Sequence, residues 1–288
     1  MVAVKQMLKN SPGGVKELKV LQSFKKPRHA HDHVISLLAT YEQDEHIFLI
    51  LPWAEMDLDQ FWAKDPRSFC NDAALATWLR QQCCGLAGAV SYMHKYPTYS
   101  GTFVLSTITS AVSETEDVPS RSQSVGSVGQ RESKILLGRH GDIKPNNILW
   151  FPHTSSTESS TPNFGTLQLS DFGTAHFSDK EGISVRNKII MPCSESYQSP
   201  ECRLPQGIIS LQCDVWALGC VFLEFVCWYF GGHEDLKVFR HERKCESGTG
   251  SPCFFRINCE EKLGKLSAEP NPPVTKVSAY ILPSRSEG

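Results

Sequence analysis

Long apolar runs, a dominant charge and a cysteine framework are all missing from this sequence, and each absence narrows what the chain can be. The longest apolar run, Val215 to Phe230, is interrupted by Glu224 and is too short to span a bilayer comfortably. It reads as a buried core helix. No basic segment followed by an apolar stretch opens the chain, so a secretory signal is not expected. Charged residues are 21% of the 288, and the formal net charge is −2. That balance makes no electrostatic case for a nucleic-acid or membrane-surface partner. The 11 cysteines are odd in number and follow no framework spacing, with Cys83 and Cys84 adjacent in a helical pattern. They read as reduced thiols of an intracellular protein, cytoplasmic or nuclear. Cys245, Cys253 and Cys259, with His233 and His241, show neither C-x-x-C nor H-x₃-H spacing, so no zinc site is expected there.

What is present is a set of polar residues at fixed spacing. His140 to Leu149 reads HGDIKPNNIL, and Leu169 to Gly173 reads LSDFG. The spacing D-x-K-x-x-N supplies a carboxylate for an acceptor hydroxyl (Asp142), a cation for a phosphoryl group in transit (Lys144) and an oxygen ligand for Mg²⁺ (Asn147). Asp171 adds a charged metal ligand, because Mg²⁺ favours one or two carboxylates with phosphate oxygens and water. Asn147 to Phe151 and Thr166 to Leu169 predict paired strands around the Ser/Thr-rich excursion Pro152 to Gly165. Asp142 and Asp171 then sit at opposite ends of one hairpin-like unit.

Upstream, Val2-Ala3-Val4-Lys5 is a short β-type run ending in Lys. Val15, Leu18, Leu21 and Phe24 trace one helix face after a turn at Pro12-Gly13-Gly14, and Glu17 adjoins that stripe. His33 to Tyr41 and His46 to Leu51 suit a strand pair across Glu42-Gln43-Asp44-Glu45, broken by Pro52-Trp53-Ala54. Leu75 to His94 predicts a helix through Leu75, Leu79, Cys83, Leu86, Val90 and Met93, weakened modestly by Gly85 and Gly88. From Tyr96 to about Ser133 the composition turns to Ser, Thr, Val and Gly, which reads as a flexible insertion.

The two motifs in this order resemble the eukaryotic protein kinase family, and Lys144 resembles its Ser/Thr branch. The run HGDIKPNNILWF is also similar to kinase-like proteins of filamentous fungi. The resemblance implies an α+β, two-lobed fold with an incomplete antiparallel small lobe and a mainly helical large lobe. It divides the chain into a partial small lobe (1–51), the hinge and first large-lobe helices (52–94), the insertion (95–133), the catalytic loop, activation segment and central helix (134–230), and a poorly matched tail, expected to be partly disordered (231–288). It implies ATP and Mg²⁺ as cofactors and a protein with Ser or Thr acceptors as partner. Lys5, paired with Glu17, would contact the α/β-phosphates. Ala3, Leu51, Trp53, Ala54 and Leu149 would line the nucleotide site, with hinge backbone groups on the adenine edge and Leu149 beneath it. Ser194 would bond the catalytic Asp and Lys, Glu201 closes S-x-x-Y-x-S-P-E, and Asp214 would hold the catalytic loop.

The sequence departs from the family at three places. No G-x-G-x-x-G precedes Val2, so truncation at the glycine-rich loop is expected, with weaker phosphate binding. Gly141 stands where an Arg usually grips an activation-segment phosphate, so activation by such phosphorylation is not expected. The tail shows no clear helical runs, and the Arg partner of Glu201 is not recognisable in it. A catalytically impaired pseudokinase acting as a binding module therefore stands as one alternative. A small-molecule phosphotransferase, suggested by His140-Gly141-Asp142, is the other. Lys144 and Ser199-Pro200-Glu201 favour a protein substrate over the latter.

Overall fold

A computed structural model describes residues 1–24, 31–65, 72–99, 133–153, 164–178, 194–246, 250–260 and 265–281. Strand β1 (Val2–Leu8) leads into helix α1 (Pro12–Phe24), and β2 (Ala39–Gln43) and β3 (His46–Pro52) complete an antiparallel sheet in the order β1-β3-β2. Its register sets Lys5 opposite Leu49 and Ala3 opposite Leu51. The expected turn at Pro12-Gly13-Gly14 is instead the first turn of α1, where proline's missing N–H costs nothing and its φ suits a helix start. The β2–β3 turn narrows to Asp44-Glu45, with Asp44 in a left-handed conformation (φ 50°) that Asp tolerates.

After β4 (Met56–Asp57), the short helix α2 (Leu58–Lys64) starts on a reciprocal cap. The Gln60 N–H donates to Asp57 Oδ1 at 2.8 Å and the Asp57 N–H to Gln60 Oε1 at 3.2 Å. Helix α3 (Asp72–His94) follows, then β5 (Tyr96–Tyr99) and β6 (Ser133–Arg139). The expected insertion thus begins with a strand, because Tyr96–Tyr99 pairs with Ser133–Leu136; residues 100–132 lie outside the described residues. Gly85 has a packing reason: a Cβ there would lie 2.0 Å from Nε2 of His33, whose Nδ1 is 2.7 Å from the Leu167 carbonyl. Glycine at this point of α3 leaves room for the His33 ring.

Strands β7 (Ile148–Phe151) and β8 (Thr166–Leu169) pair antiparallel, with Ile148 opposite Leu169, and β9 (His176–Ser178) pairs with β6. The antiparallel return corrects one expectation. Asp142 precedes β7 and Asp171 follows β8, so both lie at the same end of the unit. Most of the 152–165 excursion lies outside the described residues.

Helix α4 (Gln212–Glu246) breaks and restarts at Gly232 (φ 80°). It is long and apolar enough to cross a membrane by length and composition. Its apolar side packs in the core: Val221, Phe225 and Trp228 are fully buried. Burying each such side chain contributes roughly 1.5–3 kcal/mol. The tail is not as expected. The helix runs through 233–246, and β10 (Phe255–Glu260), β11 (Lys265–Pro270) and α5 (Pro272–Ile281) follow. Phe254 and Phe255 are buried, and Asn271 Nδ2 donates to the Arg243 and Cys253 carbonyls. Few apolar residues therefore suffice to anchor this end.

Candidate active site

Three elements meet at Lys5. Its Nζ lies 2.8 Å from Glu17 on α1 and 3.2 Å from Asp171 Oδ1 after β8. Burial alone would lower the Lys5 pKa, but the hydrogen bond and charge of Glu17, with Asp171, more than offset it and hold it above the usual lysine value. Burial pushes Glu17 up, only partly offset by Lys5. Asp171 moves down despite burial, because Lys5 and the Gly173 N–H stabilise its carboxylate. Its backbone is left-handed (φ 61°).

The catalytic loop hangs from α4 by one carboxylate. The N–H groups of His140 and Gly141 donate to Asp214 Oδ2 at 2.7 Å and Oδ1 at 2.9 Å. Gly141 adopts φ +87°, and a Cβ there would sit 3.2 Å from the Thr174 carbonyl. Glycine therefore answers a backbone need at this position. The His140 ring is fully buried, accepts the Asp142 N–H at Nδ1 (3.3 Å) and contacts the Ser170 carbonyl through Nε2 (3.0 Å). Burial lowers its pKa, which agrees with a neutral ring donating from Nε2.

The Asp142 carboxylate is enclosed by donors. Oδ1 accepts the Ser194 N–H at 3.0 Å, and Oδ2 accepts Asn147 Nδ2 at 3.0 Å and lies 2.7 Å from Lys144 Nζ. Lys144 Nζ also donates to Ser194 Oγ at 2.8 Å. Asn147 is tied to the other motif as well, since its carbonyl accepts the Ser170 N–H (2.9 Å) and Oγ–H (3.0 Å). Beneath them Phe172 is fully buried, its ring 5.4 Å from Phe24 and 5.1 Å from His140.

Asn147 and Asp171 fit a divalent hard cation. Both offer oxygen, both hydrogen bonds of the Asn147 side chain are donated by Nδ2, and the Ser170–Asn147 bond sets Asp171 one residue away. Among the described residues no group of three His, Cys, Asp or Glu could hold a metal. Ala3 and Leu51 face each other in the β1–β3 register, Trp53 is exposed and Ala54 half-buried in the following link, and half-buried Leu149 lies on β7.

Glu201 is half-buried, and its Oε2 has no hydrogen-bond partner among the described residues. The buried ion cluster forms elsewhere. Glu224, fully buried on α4, accepts from Tyr197 Oη (2.8 Å), Arg243 Nη2 (2.8 Å) and Arg240 Nε and Nη2 (3.0 and 2.8 Å). Arg240 also reaches Asp59 on α2 at 2.6 Å. Burial, then the Glu224 charge, raises the Tyr197 pKa well above its usual value. The sequence signal for this cluster was a lone Glu inside an apolar run.

Residues 138–251 match the model of the protein kinase domain. Among curated proteins the chain is 34% identical to Protein kinase MCK1 of Saccharomyces cerevisiae over 107 residues, 36% of this chain and 25% of that protein. It is 33% identical to Dual specificity protein kinase lkh1 of Schizosaccharomyces pombe over 106 residues, 33% of this chain and 14% of that protein. Cyclin-dependent kinase D-1 of Arabidopsis thaliana matches over 224 residues at 23% identity, 77% of this chain and 40% of that protein.

Over residues 138–251 the chain is similar to the protein kinase domain.

It spans well under half the length of these relatives. Its α+β architecture, a small antiparallel sheet with one helix beside a mainly helical part, is a partial kinase-like fold.

Proposed function

We propose that this chain transfers the γ-phosphate of ATP to Ser or Thr hydroxyls of a protein substrate. The observation that carries the reading is the shared contact of Lys144 with Asp142 and Ser194. That contact sets a carboxylate, an amine and a hydroxyl side by side. Asp142 would orient the acceptor hydroxyl and take its proton as the oxygen attacks the γ-phosphorus and ADP departs. Lys144 would offset charge on the phosphoryl group in transit. Lys5, steadied by buried Glu17, would hold the α/β-phosphates. Mg²⁺, held by Asp171 and Asn147, would supply neutralising charge at the phosphate oxygens. The choice of Ser and Thr rests on Lys144 and on the hydroxyl of Ser194 beside Asp142. We further propose an intracellular location, cytoplasmic or nuclear, because the reaction draws on ATP.

The test is transfer from radiolabelled ATP with Mg²⁺ to a basic protein, with Asp142→Asn alongside and phosphoamino-acid analysis of the product. Phosphoserine or phosphothreonine that vanishes in the variant supports the reading. A folded protein that transfers nothing, or labels only small alcohols or tyrosine, overturns it.

A further inference from the structure

Cys202 closes the single 3₁₀ turn Pro200–Cys202, and Cys213 lies in the first turn of α4 beside Asp214. Ser199 Oγ is 3.4 Å from Cys202 Sγ. Both cysteines line one small cavity whose wall also carries Asp142, Ser194, Ser199 and Asp214. Cys202 is half-buried and Cys213 buried, and both are reduced.

We propose that Cys202 and Cys213 are a redox-active dithiol that a peroxide closes to an intramolecular disulfide. Two thiols on the wall of one small cavity need little backbone movement to reach the Cβ separation of about 3.5–4.5 Å that the bond requires. Their unequal exposure assigns the roles. Peroxide reaches half-buried Cys202, whose sulfur attacks one peroxide oxygen. Cys202–SH and H₂O₂ give Cys202–SOH and water. The Cys213 sulfur then displaces hydroxide from that sulfenic acid, and its own proton completes a second water. Its interaction with Cys202, then burial, raises the Cys213 pKa, which keeps it protonated until its neighbour is oxidised. The link would tie the Ser199–Cys202 segment to the helix that holds the catalytic loop through Asp214.

The test treats the full chain with hydrogen peroxide, blocks remaining thiols with iodoacetamide and sequences unreduced peptides by tandem mass spectrometry. The expected product is a Cys202–Cys213 cross-linked pair, lighter by two hydrogens and lost on reduction. Cys202→Ser should abolish it, and Cys213→Ser should leave Cys202 oxidised to the sulfinic acid. A wild-type chain in which Cys202 links elsewhere, or in which Cys213 stays alkylatable after peroxide, overturns the proposal. The wild-type measurement depends neither on the variants folding nor on phosphate transfer.

Discussion

Asp142 carries more hydrogen-bond donors than any turn aspartate needs, since Ser194, Asn147 and Lys144 all converge on it. Asp142→Asn keeps its shape and removes its charge. Transfer should fall about 10³-fold or more while the melting temperature changes little, as labelled-ATP assays and thermal unfolding would show. Lys5 invites a different experiment. Lys5→Met leaves the Glu17 carboxylate buried without its cation, so Glu17→Gln should restore part of the stability lost. A double-mutant cycle by urea unfolding checks this. Strictly additive losses would mean that the pair is not coupled.

Among elements, the catalytic loop and α4 are the most exposed to single changes. Gly141→Val forces a β-branched residue to φ +87° against the Thr174 carbonyl. It should destabilise by about 1–3 kcal/mol. Glu224→Ala strands Arg240 and Arg243 beside Tyr197 and should cost about 3–5 kcal/mol, read by denaturant midpoint. These two sites also show what the sequence could and could not tell. The strand β1, the helix α1 and the β7–β8 pair were legible because local periodicity and turn residues define them. The run of α4 past Phe230 was not, because the apolar run ends there and the tail shows no clear helical runs. In the fold Gly232 is only a break, and the second half is secured by Arg240 and Arg243 reaching back to Glu224. No local pattern encodes that long-range pairing.

For the whole molecule, four histidines set the response to acid. Burial lowers the pKa of His31, His33, His140 and His176 below the ordinary histidine value of 6.5. In the window beneath 6.5 the unfolded chain binds more protons than the folded one, so stability rises with pH there. This contribution is complete above the unfolded value and is lost as pH falls through the lower folded values. The melting temperature at about pH 7.5 should exceed that at about pH 5.5, and His176→Gln should flatten the difference. A rise in melting temperature on acidification would contradict this. The structure brings Lys5, Glu17, Asp142, Lys144, Asn147, Asp171, Ser194 and Asp214 together, which motif spacing suggested for Asp142, Lys144, Asn147 and Asp171 and the family resemblance implied for the others. One feature at this scale was hidden: His140 proves to be the buried strut between the two motifs.

The Asp214 carboxylate that receives the His140 and Gly141 amides also lies 3.1 Å from His94 Nε2 at the end of α3. The loop that presents Asp142 is thereby denied an opening of its own. In deuterated water its His140 and Gly141 amides should exchange on the same slow clock as the interior of α4, whereas an ordinary surface loop trades its protons within moments.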